Sequence, residues 1–375
     1  MKLRAATALT CMAILPLAHA QTPPQPVDDS QPTTLSAHST LVLVPALVRD
    51  KAGNLIFTLK AGDFALTDDG IPQKLTLEED TGDEPLALVI VIEGGGAGAA
   101  ELDKYQALIP MLDSVIGGVP HKVAVVGFDS SPVLVQDFTP DNDTAAHAVH
   151  ELIVDDSGDN KAAILDALSF SVDLLRKQPL EYRRAILLLS ETLDRGSHTK
   201  LDDALRAISD TNTAIYSIGF SSGKFESTHP QSVVAPNQAG PAGGCMAKDH
   251  SDDPTTSNNR AVQAYDCLGL LAPPLRLAKM AAIAIKDGFE KNVPETVARV
   301  TGGEYFKLTS AKSLERDLAT ISNHIPNRYV LSFQPQSPHP GFHSITLRLP
   351  NYAQLTVSAR DGYWADTDAA PTPHP

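Results

Sequence analysis

Glu93 and Glu191 stand where an α/β protein places its chemistry. Glu93 follows the unbroken apolar run Leu86-Ala87-Leu88-Val89-Ile90-Val91-Ile92. Glu191 follows Ala185-Ile186-Leu187-Leu188-Leu189 and Ser190. Ligands of open α/β sheets bind outside the carboxyl ends of the strands, and carboxylates there suit a hard divalent cation. Between the two lies Gly158-Asp159-Asn160-Lys161-Ala162-Ala163, in which Asp159 and Asn160 carry oxygens. The loop Glu93-Gly94-Gly95-Gly96-Ala97-Gly98 has no hydroxyl.

Other chemistries fit less well. Ser190 ends a strand, but no Gly-x-Ser-x-Gly elbow and no marked histidine accompany it. Gly94-x-Gly96-x-x-Ala99 loosely fits a dinucleotide fingerprint. The next strand ends near Asp129, too far on for a ribose-binding acid about 20 residues after the glycines, and Glu93 would set negative charge beside a pyrophosphate. Zinc needs clustered His and Cys, and Cys245 with His250 is too small a set. Most of the 12 histidines fall in loops, tails or the leader.

The elements that would position the two glutamates are legible. Apolar runs at 86–92, 122–128, 185–189 and 214–218 read as strands, the unbroken ones as strands buried on both faces. Helical spacing covers about 101–116, 143–152, 161–176, 201–208 and 275–290. A short helix starts at Pro294 and stops at Thr301-Gly302-Gly303. Tyr305–Leu308 is a short strand and 313–321 a last helix. This alternation predicts an α/β fold, an open, mostly parallel sheet flanked by helices, over residues 82–325, interrupted by an aperiodic insertion at 221–260. The flanks 40–81 and 326–365 read as β. Strands are expected at 41–48, 55–57, 63–67, 73–77, 329–333, 344–349 and 355–359. Few strands bury little alone, so the flanks are expected to pack together as one small β-rich module. Trp364, the single tryptophan, is expected to pack at its edge.

The ends point to export. Lys2 and Arg4, the apolar run Ala5–Leu17 and Ala18-His19-Ala20 have the form of a signal peptide, residues 1–20, cleaved after Ala20. Its run is too short to span a membrane, and no other segment suits a membrane span. Residues 21–39 and 366–375 have the composition of disordered segments. The expected location is secreted or periplasmic, where Cys245 and Cys267 would form one disulfide. Closing that loop is worth about 3 kcal/mol in the chain-entropy model. The formal net charge of −15 repels nucleic acid and anionic lipid. At 42% hydrophobic residues, a chain of this length can bury a real core.

Taken together these segments resemble a von Willebrand factor A domain. More narrowly they are similar to the VWFA-related domain family described from Acidobacteria. Leu59-Lys60-Ala61-Gly62-Asp63-Phe64 and Asp68-Asp69-Gly70-Ile71-Pro72-Gln73 carry the N-terminal likeness. Val300–Phe306, Arg328–Phe333, Gly341-Phe342-His343 and Arg360-Asp361-Gly362-Tyr363 carry the C-terminal one. The resemblance implies a metal-ion-dependent adhesion site, with Asp-x-Ser-x-Ser in the first loop, a threonine in the second and an aspartate in the third. Here Glu93, Gly95, Ala97, Ala162 and Glu191 occupy those positions. Both hydroxyls are gone and each carboxylate is one methylene longer. Mg²⁺ demands near-ideal octahedral geometry, so the site is expected to be degenerate and the chain to have no cofactor. A weak divalent cation on Glu93 and Glu191 stays open. The expected function is a non-enzymatic, exported protein that binds a protein partner or serves as a scaffold. The alternative is a structural module with an inert former site, acting through its β module or its insertion.

Overall fold

The computed structural model describes residues 41–78, 84–106, 108–116, 119–154, 159, 161–221, 285–286, 288–336 and 339–365. The leader, the lead-in, nearly all of the 221–260 insertion, Cys245, Cys267 and the 366–375 tail lie outside them.

Strand β5 (Leu86–Glu93) is buried along its whole length. Its side chains alternate between the two faces of the sheet, as strand geometry requires. Leu86, Leu88, Ile90 and Ile92 enter one core with residues of α2 (Leu102–Tyr105), α3 (Leu108–Ile116), α4 (Asn142–Val154) and α8 (Ala311–His324). Ala87, Val89 and Val91 enter the other, with residues of α5 (Ile164–Arg176), α6 (Leu201–Asp210) and α7 (Val293–Thr301). An unbroken apolar strand is what a sheet covered on both faces selects.

The remaining strands of this sheet are β6 (His121–Phe128), β7 (Pro132–Thr139), β8 (Arg183–Glu191), β9 (Ala214–Phe220) and β10 (Tyr305–Lys307). The order across the sheet is β10-β9-β8-β5-β6-β7. All pairs are parallel except β6 with β7. Strand order reverses between β5 and β8, so the crevice that binds ligands in such sheets lies between the ends of the strands carrying Glu93 and Glu191.

The flanks form two four-stranded antiparallel sheets. One has the order β13 (Thr356–Ala359), β1 (Val42–Arg49), β11 (Tyr329–Phe333), β4 (Thr76–Glu78). The other has β14 (Gly362–Ala365), β12 (Gly341–Arg348), β2 (Ala65–Asp68), β3 (Ile71–Gln73). Val44, Ala46, Phe64, Leu66, Leu331, Phe333, Ile345 and Tyr363 fill one shared core. The mostly parallel sheet flanked by helices and the β-rich module built from both flanks are therefore as expected.

Several local expectations are corrected. The alternation over 73–77 is divided between two strands, because β3 pairs with β2 in one sheet and β4 with β11 in the other. Leu55–Phe57 makes a single bridge, Leu55 to Arg49, on the edge of β1 that β11 occupies along Val42–Ala46. The helix expected over 101–116 is broken into α2 and α3. Pro110 lies in the first turn of α3, where it is tolerated. In a continuous helix its ring would strike the carbonyl four residues back. The four-residue strand β14 was not expected as a strand.

Candidate functional site

The loops after β5 and β8 and the loop before α5 meet at the carboxyl end of the sheet. A short helical turn, α1 (Gly96–Ala99), follows β5. Its tightness comes from Gly95, where a Cβ would lie 2.6 Å from the Asp159 carbonyl oxygen and 2.7 Å from Asp129 Cβ. No side chain fits there with the loops packed as they are. This is the position at which the resemblance places the first serine.

Glu93 and Glu191 come together, and both are fully buried. Glu93 Oε2 accepts from the Glu191 amide at 2.6 Å and from Ser190 Oγ at 3.1 Å. Its Oε1 accepts from the Gly98 amide at 3.1 Å. Burial pushes the Glu93 carboxyl up to about 8; the hydrogen bonds oppose this and the Glu191 charge adds to it. Desolvation wins because an isolated buried charge costs more than these donors return. Tyr105 is fully buried nearby. Burial, followed by the charges of Glu93 and Glu101, pushes its hydroxyl well above the ordinary phenol range.

Glu191 has a different partner. Its Oε1 accepts from Arg195 Nε at 2.7 Å and also from Arg195 Nη2. The Glu191 side chain is 1% exposed and that of Arg195 38%, so the guanidinium lies over the carboxylate and faces solvent. Arg195 also exchanges backbone hydrogen bonds with Ala162, 3.1 Å in one direction and 2.7 Å in the other. The second loop is anchored elsewhere too. The Ala163 amide donates to the Asp129 carbonyl at 2.7 Å, and the Asp159 amide to Asp129 Oδ2 at 3.2 Å. Asp159 turns its Oδ1 to the Lys161 amide at 2.9 Å rather than toward the glutamates. Asn160 lies outside the described residues.

The residues present do not fit a hard divalent cation. Such an ion takes six or more oxygens, whereas Glu93 is already engaged with three donors, Glu191 is paired with a cation, and Ala162 pairs through its backbone. Arg195 was missed in the sequence. Its signal was the four-residue spacing from Glu191. Beside the third loop a cleft of about 500 Å³ is lined by Leu165, Leu193, Arg195, Leu201, Phe289 and Val293, among others. It offers an apolar floor with Arg195 at its edge.

No family model matches this sequence, and no curated protein matches it. Among solved structures, the chain is similar to BatB from Bacteroides thetaiotaomicron at 13% identity and a TM-score of 0.36, over 64% of this chain and 99% of that one. It is similar to an aerotolerance-related membrane protein from Bacteroides fragilis at 16% identity and a TM-score of 0.37, over 64% and 100%. The likeness to proximal thread matrix protein 1 of the mussel byssus has 18% identity and a TM-score of 0.32. It covers 39% of this chain and 38% of the mussel protein. At TM-scores of this size no functional property is carried over. Among the described residues no helix is long and apolar enough to cross a membrane.

Proposed function

We propose that this chain is an exported, non-enzymatic von Willebrand factor A-type protein that binds a protein partner or serves as a scaffold, and that its strand-end loops work without a divalent cation. The observation that carries this reading is the Glu191–Arg195 pair. A guanidinium carries a permanent positive charge and a fixed fork of donors. It neutralises Glu191 and, through its backbone pairing with Ala162, ties the second loop to the third. A metal ion would otherwise serve both purposes. The cleft beside the third loop gives a partner an apolar seat next to a charged rim, a composition suited to protein contacts.

The test is calorimetric titration of the chelator-treated protein with Mg²⁺, Mn²⁺ and Ca²⁺, repeated on the Glu93→Gln, Glu191→Gln double variant. The expected result is no binding that depends on these two residues. Micromolar binding that disappears in the double variant would establish a cation-dependent adhesion site and overturn the reading.

A further inference from the structure

A second cluster of chemistry-bearing side chains lies in the β module, on elements other than the strand-end loops, and is independent of the reading above. Asp68 ends β2, Asp69 begins the turn to β3, His343 is on β12, and His339 lies just before β12. Pairing of β12 with β2 and β14 sets Ile345 opposite Asp68 and His343 opposite Tyr363. Asp68, Asp69 and His343 are all buried.

Each imidazole has one nitrogen turned to a backbone carbonyl. His343 Nε2 lies 2.8 Å from the His339 carbonyl oxygen, and His339 Nδ1 lies 3.2 Å from that of Pro340. A carbonyl only accepts, so these two nitrogens carry protons. The His339 amide also approaches His343 Nε2, at 3.4 Å, but the shorter carbonyl contact decides the tautomer. The two remaining nitrogens converge. His343 Nδ1 and His339 Nε2 lie 3.1 and 2.9 Å from the same oxygen, Asp69 Oδ2, and the ligand atoms of the three residues are all within 4.8 Å of one another.

A metal-ligating histidine is oriented in this way, its far nitrogen donating to a carbonyl or a carboxylate. The carboxylates are oriented as well. The Ser344 amide holds Asp69 Oδ1 at 2.9 Å, which leaves Oδ2 for the inward position. Tyr363 donates its hydroxyl to Asp68 Oδ2 at 3.1 Å, which leaves Asp68 Oδ1 at 3.1 Å from His343 Nδ1. The two rings are stacked, with 3.9 Å between their centres and 17° between their planes.

We propose that Asp69, His339 and His343 bind one divalent transition-metal ion of the zinc class, with Asp68 placed as a fourth ligand. Two imidazoles with carboxylate suit zinc and its neighbours rather than Mg²⁺ or Ca²⁺. Bonds of about 2.0–2.1 Å in a tetrahedron separate the ligand atoms by about 3.3 Å, so the cluster opens by a few tenths of an ångström to admit the ion. The ion enters past His339, whose side chain is 28% exposed.

The experiment uses the full, chelator-treated chain. Zn²⁺ is titrated in competition with a chromophoric chelator of micromolar affinity, and Co²⁺ is added as a spectroscopic probe. Expected are one ion per chain and visible Co²⁺ bands. His339→Ala should weaken Zn²⁺ binding about tenfold or more. It removes the most exposed member of the cluster, so folding should survive; Asp69→Asn is the second variant. Failure of the wild-type chain to compete with the chelator, or Zn²⁺ binding unchanged in both variants, would show a purely hydrogen-bonded cluster and overturn the proposal.

Discussion

Glu93 and Glu191 are both carboxylates at the ends of neighbouring strands, yet their environments differ. Burial holds the Glu93 carboxyl up to about 8 against an ordinary 4.5. The folded chain therefore keeps a proton that the unfolded chain loses above about pH 4.5. The stability Glu93 contributes is fully present below about pH 4.5 and is lost as pH rises through about 8, a swing on the order of 5 kcal/mol. Denaturant unfolding at about pH 5 and about pH 8 should show the wild type losing more than Glu93→Gln, and parallel curves would refute this assignment. Arg195 supports a second prediction. Arg195→Ala leaves Glu191 buried without its cation, which should cost about 3 kcal/mol, the low end for a broken buried pair because the guanidinium is partly exposed. Glu191→Gln should recover much of that loss in the double variant. Millimolar Ca²⁺ should raise the melting temperature of Arg195→Ala and leave the wild type unmoved. An equal response in both would remove Arg195 from the role of resident cation. At this scale the glutamates were legible because buried strands announce their own ends. The Asp69–His339–His343 cluster was not, because Asp69 lies 270 positions from His339 and reaches the two histidines only through β2–β12 pairing.

Elements were legible where one local rule dominated and were misplaced where tertiary pairing chose. Helix α7 shows the first case. Asn292 caps it by accepting from the Glu295 amide at 3.1 Å, Pro294 sits in its first turn, and Gly302 ends it in the left-handed region at φ 77°. Strands β3 and β4 show the second. Their alternation is continuous in the chain, but they belong to different sheets. Edge packing was half the account of Trp364. Its amide donates to Ser209 Oγ on α6 at 2.9 Å, and Arg206 lies 5.1 Å from its ring centre, so β14 also grips the α/β domain. Glu304, just before β10, ties further elements together. It meets His324 of α8 at 2.6 Å, Arg49 of β1 at 3.5 Å and Arg328 at 3.6 Å. Burial raises the Glu304 carboxyl, but the hydrogen bond from His324 and the charges of His324, Arg328 and Arg49 outweigh it and hold the group below its ordinary range. That contribution is present above about pH 4.5 and is lost as pH falls below it. Glu304→Ala strands cationic partners and should cost about 3–5 kcal/mol at neutral pH. The deficit relative to wild type should shrink in acid. A deficit independent of pH would mean that packing, not charge, holds these elements.

In the whole molecule, the α/β segment is inserted into a module whose strands come from both flanks. Strand β1 pairs with β11 and β13, and β2 pairs with β12, so neither flank owns a complete sheet. The α/β segment owns all six strands of its sheet and both of its cores, apart from Phe342 and Trp364, which the module lends to one of them. This asymmetry predicts which part folds alone. Residues 82–325, expressed without the flanks, should fold, with a stability lowered by the lost Trp364 and Arg49 contacts. The flanks, joined by a short linker, should not form a stable module. The α/β segment brings their ends together. It also supplies Asn212, whose Oδ1 lies 3.4 Å from Nη1 of the buried Arg360. Burial lowers the Arg360 guanidinium to about 10, the mark of a charge that is costly to bury and so depends on partners such as Asn212. Amide exchange on the two fragments decides the matter. Protected strands in 82–325 and unprotected flanks are expected. Protection in the isolated flanks would make the module the autonomous unit and the α/β segment its guest.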